Sequence, residues 1–196
     1  MSMQQSVCTK LRLYSRLMRL DKPVGILLLW FPTVWALWLA HQGVPPVRVF
    51  CYFLLGTVVM RSAGCVINDF ADRHIDKHVT RTKLRPLTTG AIHSVEAMAL
   101  LSILLLMALF IVVQLPPTCF YLACFGVVIT VIYPFCKRWI QAPQLVLSMA
   151  FSVGIPMAYV VARQPFDQVM WVLIVMNLFW VIAYDTMYAW WIARMI

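Results

Sequence analysis

The apolar residues of this chain form long blocks, which short polar segments separate. A helix needs about 20 apolar residues to cross a bilayer. Six blocks are close to that length and predict transmembrane helices: residues 24–40, 49–67, 95–115, 118–135, 144–161 and 169–191. The pattern therefore predicts an all-α polytopic membrane protein with a single membrane-embedded domain over residues 1–196.

The composition agrees with this prediction. Hydrophobic residues make up 63% of the 196 residues and charged residues only 12%, whereas a soluble domain carries about 25% charged residues. A soluble globular protein is therefore excluded.

The basic residues predict the orientation of the chain in the membrane. Only Arg48 and Arg163 lie in loops on one predicted side. The opposite side carries Lys10, Arg12, Arg16, Arg19, Lys22, Arg73, Lys77, Arg81, Lys83, Arg85, Lys137 and Arg138. By the positive-inside rule, the N-terminus and the polar stretch 69–93 face the cytoplasm. Orientation and anionic lipid account for the net charge of +9, so no nucleic-acid partner is predicted.

A cluster of acids follows the second apolar block, in the segment "NDFADRHID". Asp69, Asp72 and Asp76 are three and four residues apart, which predicts one helical face about 10 Å long. Asn68 adds an amide oxygen to that face. Oxygen ligands without thiolates suit Mg²⁺, which is often shared with substrate phosphates. The segment predicts a Mg²⁺ site at the membrane edge.

The spacing of the residues in this segment leaves two other interpretations open. The acids could form a solvated helix end and pair with the neighbouring Arg73, Lys77 and Arg81. Alternatively, His74 and His78, one turn apart, could hold a metal ion.

The next segment, "TRTKLRPLTTG", is basic. Arg81, Lys83 and Arg85 can bind a phosphate group that also contacts the metal. Pro86 and Gly90 predict a loop here rather than a long helix.

These motifs resemble one known family. "NDFADRHID" is similar to the Asn-Asp-x-x-Asp-x-x-x-Asp signature of the UbiA family of intramembrane prenyltransferases. The segments "RLMRLDKPVGILLLWFPTVWALW", "RTKLRPL", "YPFCKRW" and "YDTMYA" add to the resemblance, which runs from about Leu17 to Ala189.

The resemblance implies a fold and a reaction. Members of this family have about nine transmembrane helices around a lateral cavity, and two Asp-rich motifs hold Mg²⁺ on a polyprenyl diphosphate. The branch that this sequence resembles transfers the polyprenyl group to the aromatic ring of 4-hydroxybenzoate, a step of ubiquinone biosynthesis in the bacterial inner membrane. The expected partners are membrane lipid and these two substrates, with no defined protein partner.

The resemblance also implies roles for individual residues. The first metal motif comprises Asn68, Asp69, Asp72 and Asp76, and Asp185 begins the second. The expected substrate contacts, mostly to the diphosphate, are Lys22, Asn68, Arg85, Tyr133, Lys137 and Tyr188.

The end of the chain departs from the family pattern. The second motif reads Asp-x-x-Tyr-Ala-x-x-Asp in the family, but Ile192 stands in place of the last Asp. One base dropped from codons for Met-Val-Asp-Arg, with which many family members continue, would give Trp-Trp-Ile. We therefore expect residues 190–196 to be an out-of-frame tail, with the C-terminal third of the domain missing and activity lost. The alternative is a genuine shorter paralogue.

Other functions also stay open. The chain could be a non-catalytic remnant or partner subunit, a prenyltransferase for another aromatic acceptor, or a transporter. The last is disfavoured because the apolar blocks carry few polar residues.

Overall fold

The chain is mostly helical in the part that the structure describes. A computed structural model describes residues 3–80, 82–136, 139–140 and 142–193. Its α-helices are α1 (Met3–Leu17), α2 (Val24–Ala40), α3 (Val47–Asp72), α4 (Ser94–Val112), α5 (Pro117–Cys136), α6 (Gln144–Ser152), α7 (Gly154–Val161) and α8 (Gln168–Ala193). No strand occurs within these ranges, which confirms the all-α prediction.

Each predicted apolar block coincides with a helical segment. Five segments are long and apolar enough to cross a membrane: Val47–Asp72, Ser94–Val112, Pro117–Cys136, Pro143–Val161 and Gln168–Trp190. The first predicted block forms the shorter helix α2, with 17 residues. Among the described residues, five helical segments therefore meet the length expected for a bilayer, where the sequence predicted six.

The fifth block is one predicted helix but two observed helices. α6 ends at Ser152 and α7 begins at Gly154. Pro156 has no N–H to donate to the carbonyl of Ser152, and its ring crowds that carbonyl, so the regular helix is interrupted there.

α3 is the central helix of the bundle and packs against α2, α4 and α5. One core cluster joins α1, α3 and α4 and includes Leu17, Ala63 and Leu104. A second joins α2 and, through Phe53, α3 to α7 and α8, with Leu37 and Ile155 fully buried. The two clusters hold α3 in place, so residues at its end have fixed positions.

The amphipathic helix α1 is attached to the start of α4. Lys10 Nζ donates to Glu96 Oε1 at 2.9 Å, and the Tyr14 hydroxyl donates to Glu96 Oε2 at 3.0 Å. The hydrogen bond to Glu96 raises the pKa of Lys10. The N-terminal segment therefore lies at the same end of the bundle as the start of α4 and the end of α3.

The segment after α3 corrects the prediction that three acids share one helical face. α3 ends at Asp72, and Asp76 lies in a separate 3₁₀ turn, Asp76–His78. Turns and bends follow over residues 79–80 and 82–92, as Pro86 and Gly90 predicted, with Gly90 at φ +76°. The Thr82 hydroxyl donates to the Asp76 carbonyl at 3.1 Å and folds this loop back on itself. The acids therefore do not form the straight 10 Å row that their spacing predicts.

Candidate functional site

A cavity of about 1220 Å³ runs into the bundle from the end where α3 terminates. Its wall is largely apolar and includes Leu105 and Leu109 of α4, Phe120 of α5 and Phe151 of α6. The end of the cavity where α3 terminates is strongly charged, because the loop before α2, the end of α3 and the loop after α3 meet there. The cavity therefore combines a hydrocarbon-like wall with an ionic end.

Most of the predicted site residues line this cavity. They are Lys22, Asn68, Asp69, Arg85, Tyr133, Asp185 and Tyr188. They come from five separate parts of the sequence, so the fold brings them together. Asp72 and Asp76 are not among the described lining residues, and Lys137 lies outside the described residues.

Asp69 is the centre of an ion-pair network at the charged end. Its side chain is 2% exposed, and its Oδ1 accepts from Arg19 Nη2 at 3.1 Å and from Arg85 Nη1 at 2.9 Å. The same Arg85 nitrogen also donates to Asp76 Oδ2 at 2.6 Å. Asp69 and Asp76 are therefore held close together by one guanidinium, although they belong to different helical segments.

These contacts also correct part of the ion-pair interpretation. Among the described residues, Asp69 and Asp76 pair with Arg19 and Arg85 rather than with Arg73 or Lys77, and Arg81 lies outside the described residues. Arg73 instead donates to the Phe70 carbonyl at 2.6 Å and covers the Phe70 ring. The network is a tertiary feature, not a set of local pairs on one helix end.

The described residues give partial support for a metal site. No group of three or more His, Cys, Asp or Glu side chains among them is placed to hold a metal ion, and His74 and His78 are both exposed. However, Asp69 Oδ2 is buried and has no hydrogen-bond partner in the described part of the chain. A buried carboxylate oxygen that faces a cavity without a partner fits a cation. The oxygen donors Asn68, Asp69 and Asp185 around the cavity suit Mg²⁺.

Arg61 is a half-buried cation that lines the cavity farther from its charged end. It lies seven residues before Asn68 on α3, which is about 10 Å along the helix axis. Its guanidinium carbon is 6.0 Å from the centre of the Phe151 ring, and its Nε has no hydrogen-bond partner among the described residues. A Cβ on Gly25 would lie 2.6 Å from Arg61 Nη2, so the glycine leaves the space that this guanidinium fills.

Sequence reasoning missed Arg19 and Arg61 as site residues. Arg19 belongs only to the topology pattern there, and Arg61 lies within an apolar block and outside that pattern. Arg61 did carry a signal, because a cation within an apolar span is costly and is usually functional. Arg19 carried none, since its partner Asp69 is 50 residues away in the sequence.

The predicted out-of-frame tail, residues 190–196, lies partly in α8, which ends at Ala193, and partly beyond the described residues. Its origin stays a prediction. Asp185 and Tyr188, which precede it, line the cavity, and Tyr188 stacks on Tyr184 with ring centres 6.1 Å apart.

The helices and the cavity together define a polytopic integral membrane protein with an ionic site at one end of its bundle. A comparison with family models gives the particular class. The chain belongs to the UbiA prenyltransferase family, whose model matches residues 29–194.

Curated relatives agree with this assignment. The chain is 59% identical over 176 residues to the 4-hydroxybenzoate octaprenyltransferase of Legionella pneumophila (strain Lens), an alignment that covers 90% of this chain and 62% of the relative. It is 48% identical over 184 residues to the enzyme of the same name from Aromatoleum aromaticum, covering 94% of this chain and 63% of the relative. The chain thus spans less than two thirds of the length of these relatives.

Solved structures share the fold. A UbiA homolog from Aeropyrum pernix K1 matches with a TM-score of 0.72 and 25% identity, over 84% of this chain and 62% of that one. A UbiA homolog from Archaeoglobus fulgidus, solved with DMAPP and Mg²⁺ bound, matches with a TM-score of 0.71 and 18% identity, over 84% of this chain and 60% of that one.

Proposed function

We propose that this chain forms the diphosphate-binding part of a Mg²⁺-dependent prenyltransferase that transfers a polyprenyl group from polyprenyl diphosphate to 4-hydroxybenzoate, in ubiquinone biosynthesis. The observation that carries the proposal is a single cavity that joins an apolar wall to a charged end built around Asp69. A polyprenyl diphosphate has the same two parts. The names of the Legionella and Aromatoleum relatives support this choice of substrates.

The metal ligands in this proposal are Asn68, Asp69, Asp72, Asp76 and Asp185. Asn68, Asp69 and Asp185 line the cavity, and Asp69 Oδ2 is the buried oxygen without a described partner. The Archaeoglobus homolog, solved with Mg²⁺ and DMAPP, supports a metal requirement in the family. Bound Mg²⁺ would neutralise the diphosphate and make it a better leaving group.

The basic side chains would hold the diphosphate. Lys22, Arg19 and Arg85 line the charged end, where they can neutralise the charge that grows on the leaving group. Tyr133 and Tyr188 are expected to donate hydroxyl hydrogen bonds to it, and Lys137 is expected to join them. The apolar wall would exclude water from the allylic cation as the carbon–oxygen bond breaks.

Arg61 suits the carboxylate of the acceptor. It lies deeper in the cavity than the acids, and its Nε has no hydrogen-bond partner in the described chain. A guanidinium binds a carboxylate through paired hydrogen bonds, and Phe151 beside it offers an aromatic surface. The ring carbon next to the phenol oxygen would then attack the allylic cation and lose its proton, so that the polyprenyl group replaces a ring hydrogen and diphosphate is the leaving group. Another aromatic carboxylate could use the same contact, so the acceptor is tested directly.

The proposed location is the bacterial inner membrane, with the N-terminus in the cytoplasm. The helices that can span a bilayer support the membrane part of this assignment, and the basic residues support the orientation.

The test uses cells that lack their own 4-hydroxybenzoate polyprenyltransferase. Because the chain spans 62% of the Legionella relative, two proteins are expressed. One is the chain itself, and the other is the chain joined after Ala189 to the C-terminal segment of that relative. Membranes receive Mg²⁺, a polyprenyl diphosphate and either 4-hydroxybenzoate or another aromatic carboxylate, and mass spectrometry quantifies the products.

We expect the extended chain to prenylate 4-hydroxybenzoate and EDTA to abolish the reaction. Failure of a well-expressed extended chain, in membranes where the Legionella enzyme is active, would support the non-catalytic alternative. Better use of another aromatic carboxylate would change the acceptor. Activity of the chain itself would show that residues 1–196 suffice.

A further inference from the structure

The guanidinium of Arg85 occupies the position between two acids of the first motif. Its Nη1 donates to Asp69 Oδ1 at 2.9 Å and to Asp76 Oδ2 at 2.6 Å. The other N–H groups of the Arg85 guanidinium donate no hydrogen bond to the described residues, so no further bond of this kind holds the side chain in place. The side chain is 18% exposed and lines the cavity, so it has room to move.

The charges in this network are balanced. Asp69 and Asp76 carry two negative charges, and Arg19 and Arg85 carry two positive charges. A divalent cation at these carboxylates would leave an excess of positive charge in a partly buried site. Like charges at such distances repel strongly, which favours the departure of one guanidinium.

Arg85 is the arginine that would leave. Arg19 contacts Asp69 alone in the described network, whereas Arg85 contacts both carboxylates and therefore stands where a bridging cation would bind. The second observation that points to a cation is Asp69 Oδ2, which is buried, belongs to a side chain 2% exposed and has no described partner.

From this geometry we infer that Arg85 competes with a divalent cation for Asp69 and Asp76, and that cation binding frees its guanidinium for the diphosphate. The inference rests on the proposed function, because it concerns the same metal and diphosphate. It assigns Arg85 two successive partners, first the carboxylates and then the phosphate oxygens, both of which match its planar fork. Metal binding would thus prepare the anion site, in which Arg85 leaves the acids and contacts the diphosphate directly.

The test measures Mg²⁺ binding by the purified chain in detergent. Thermal unfolding is followed by tryptophan fluorescence in EDTA and across a Mg²⁺ titration, and Mn²⁺ binding is measured by electron paramagnetic resonance. The variants are Arg85→Gln, Arg85→Lys and the control Arg48→Gln. Arg48 lies at the opposite end of α3 and bonds to Tyr52.

We expect Arg85→Gln to unfold at a lower temperature in EDTA, because Asp69 and Asp76 lose the cation between them. Saturating Mg²⁺ should restore its stability, with an apparent affinity about tenfold tighter than that of the unchanged chain. Arg85→Lys keeps the charge and should bind Mg²⁺ with nearly unchanged affinity. Arg48→Gln should leave the affinity unchanged.

Other results would overturn specific parts of the argument. Equal or weaker Mg²⁺ binding by Arg85→Gln would exclude the competition while leaving the metal site intact. No Mg²⁺ or Mn²⁺ binding by the unchanged chain would instead contradict the metal assignment of the proposed function. If Arg85→Gln does not fold, amide hydrogen exchange of the unchanged chain tests whether Mg²⁺ releases Arg85. Mg²⁺ should speed exchange of residues 82–89, and slower or unchanged exchange would exclude the release of Arg85.

Discussion

At the residue scale, Asp69 is an acidic side chain in a buried position at the membrane edge. Such a placement costs free energy unless the charge is compensated or has a function. Asp69 is 2% exposed, lies in the last turn of an apolar helix and carries a charge that two arginines balance. Removing one partner of a buried ion pair usually costs about 3–5 kcal/mol, because the remaining charge is left uncompensated. Asp69 therefore contributes both to the fold and to the proposed metal site.

We predict that Asp69→Asn lowers Mg²⁺ affinity and product formation by the extended chain at least tenfold, because one carboxylate is lost where charge must be neutralised. It should also lower the unfolding temperature. Mg²⁺ titration, thermal unfolding and the product assay measure the three effects.

The control is Asp167→Asn. Asp167 Oδ1 accepts a hydrogen bond from the Met170 N–H at the start of α8, and the side-chain oxygen of asparagine can accept the same bond. If both variants transfer equally well, Asp69 is not a metal ligand.

A second prediction concerns the acceptor. Gly25→Ala should displace the Arg61 guanidinium, because the new Cβ would lie 2.6 Å from its Nη2 and 2.8 Å from its Nε. We expect KM for 4-hydroxybenzoate to rise about tenfold, roughly 1.4 kcal/mol, with KM for the diphosphate unchanged. Steady-state kinetics of the extended chain measure both constants.

Gly56→Ala is the matched control, since the nearest atom to its Cβ would be Ile111 Cγ2 at 3.9 Å. The same rise in both variants would mean that Arg61 does not bind the acceptor.

The sequence could identify the acids of the site but not their partners. Asn68, Asp69 and Asp76 stand out because they follow an apolar block, and Arg85 because it lies in a basic loop beside them. Arg19 reaches Asp69 only because α1 folds back against α3 and α4. That contact depends on tertiary packing, which no local spacing encodes.

At the element scale, the thickness of a bilayer made the helices predictable, whereas their interruptions depend on single residues. The predicted blocks coincide with α2 to α8 because each span must satisfy its backbone polar groups internally. The break between α6 and α7 could have been foreseen from Pro156. The end of α3 at Asp72 could not, because the acidic pattern continues at helical spacing to Asp76.

The crossing of α2 and α7 gives a third prediction. A Cβ on Gly154 would overlap the hydroxyl of Thr33, which is 3% exposed and bonds to the Leu29 carbonyl. Gly154→Ala should therefore destabilise the chain by about 1–3 kcal/mol through overpacking.

Thermal unfolding of the chain in detergent measures this effect, with Gly56→Ala again as the control. Gly56 lies inside α3, where alanine is favoured over glycine. If Gly154→Ala is as stable as Gly56→Ala, the two helices do not pack as closely at Gly154 as described.

At the scale of the whole molecule, the contacts of the N-terminal segment bear on its orientation. Arg19 bonds to Asp69 at the end of α3, and Lys10 bonds to Glu96 at the start of α4. The basic N-terminal segment and the basic loop after α3 therefore lie at the same end of the bundle. The loop between α2 and α3 lies at the other end, because α3 crosses between them.

The last prediction is that the N-terminus and the loop after α3 face the cytoplasm, because the basic residues collect at that end. Two matched positions test it in a variant without its native cysteines. Val44→Cys lies in the loop between α2 and α3, and Leu84→Cys in the loop after α3, where the original side chains are 81% and 80% exposed. A membrane-impermeant maleimide applied to spheroplasts should label Val44→Cys at once and Leu84→Cys only after permeabilisation. Because the two sites are equally exposed, accessibility within the protein cannot produce that difference. Labelling of Leu84→Cys in sealed spheroplasts, with Val44→Cys protected, would invert the topology and place the proposed diphosphate site outside the cell.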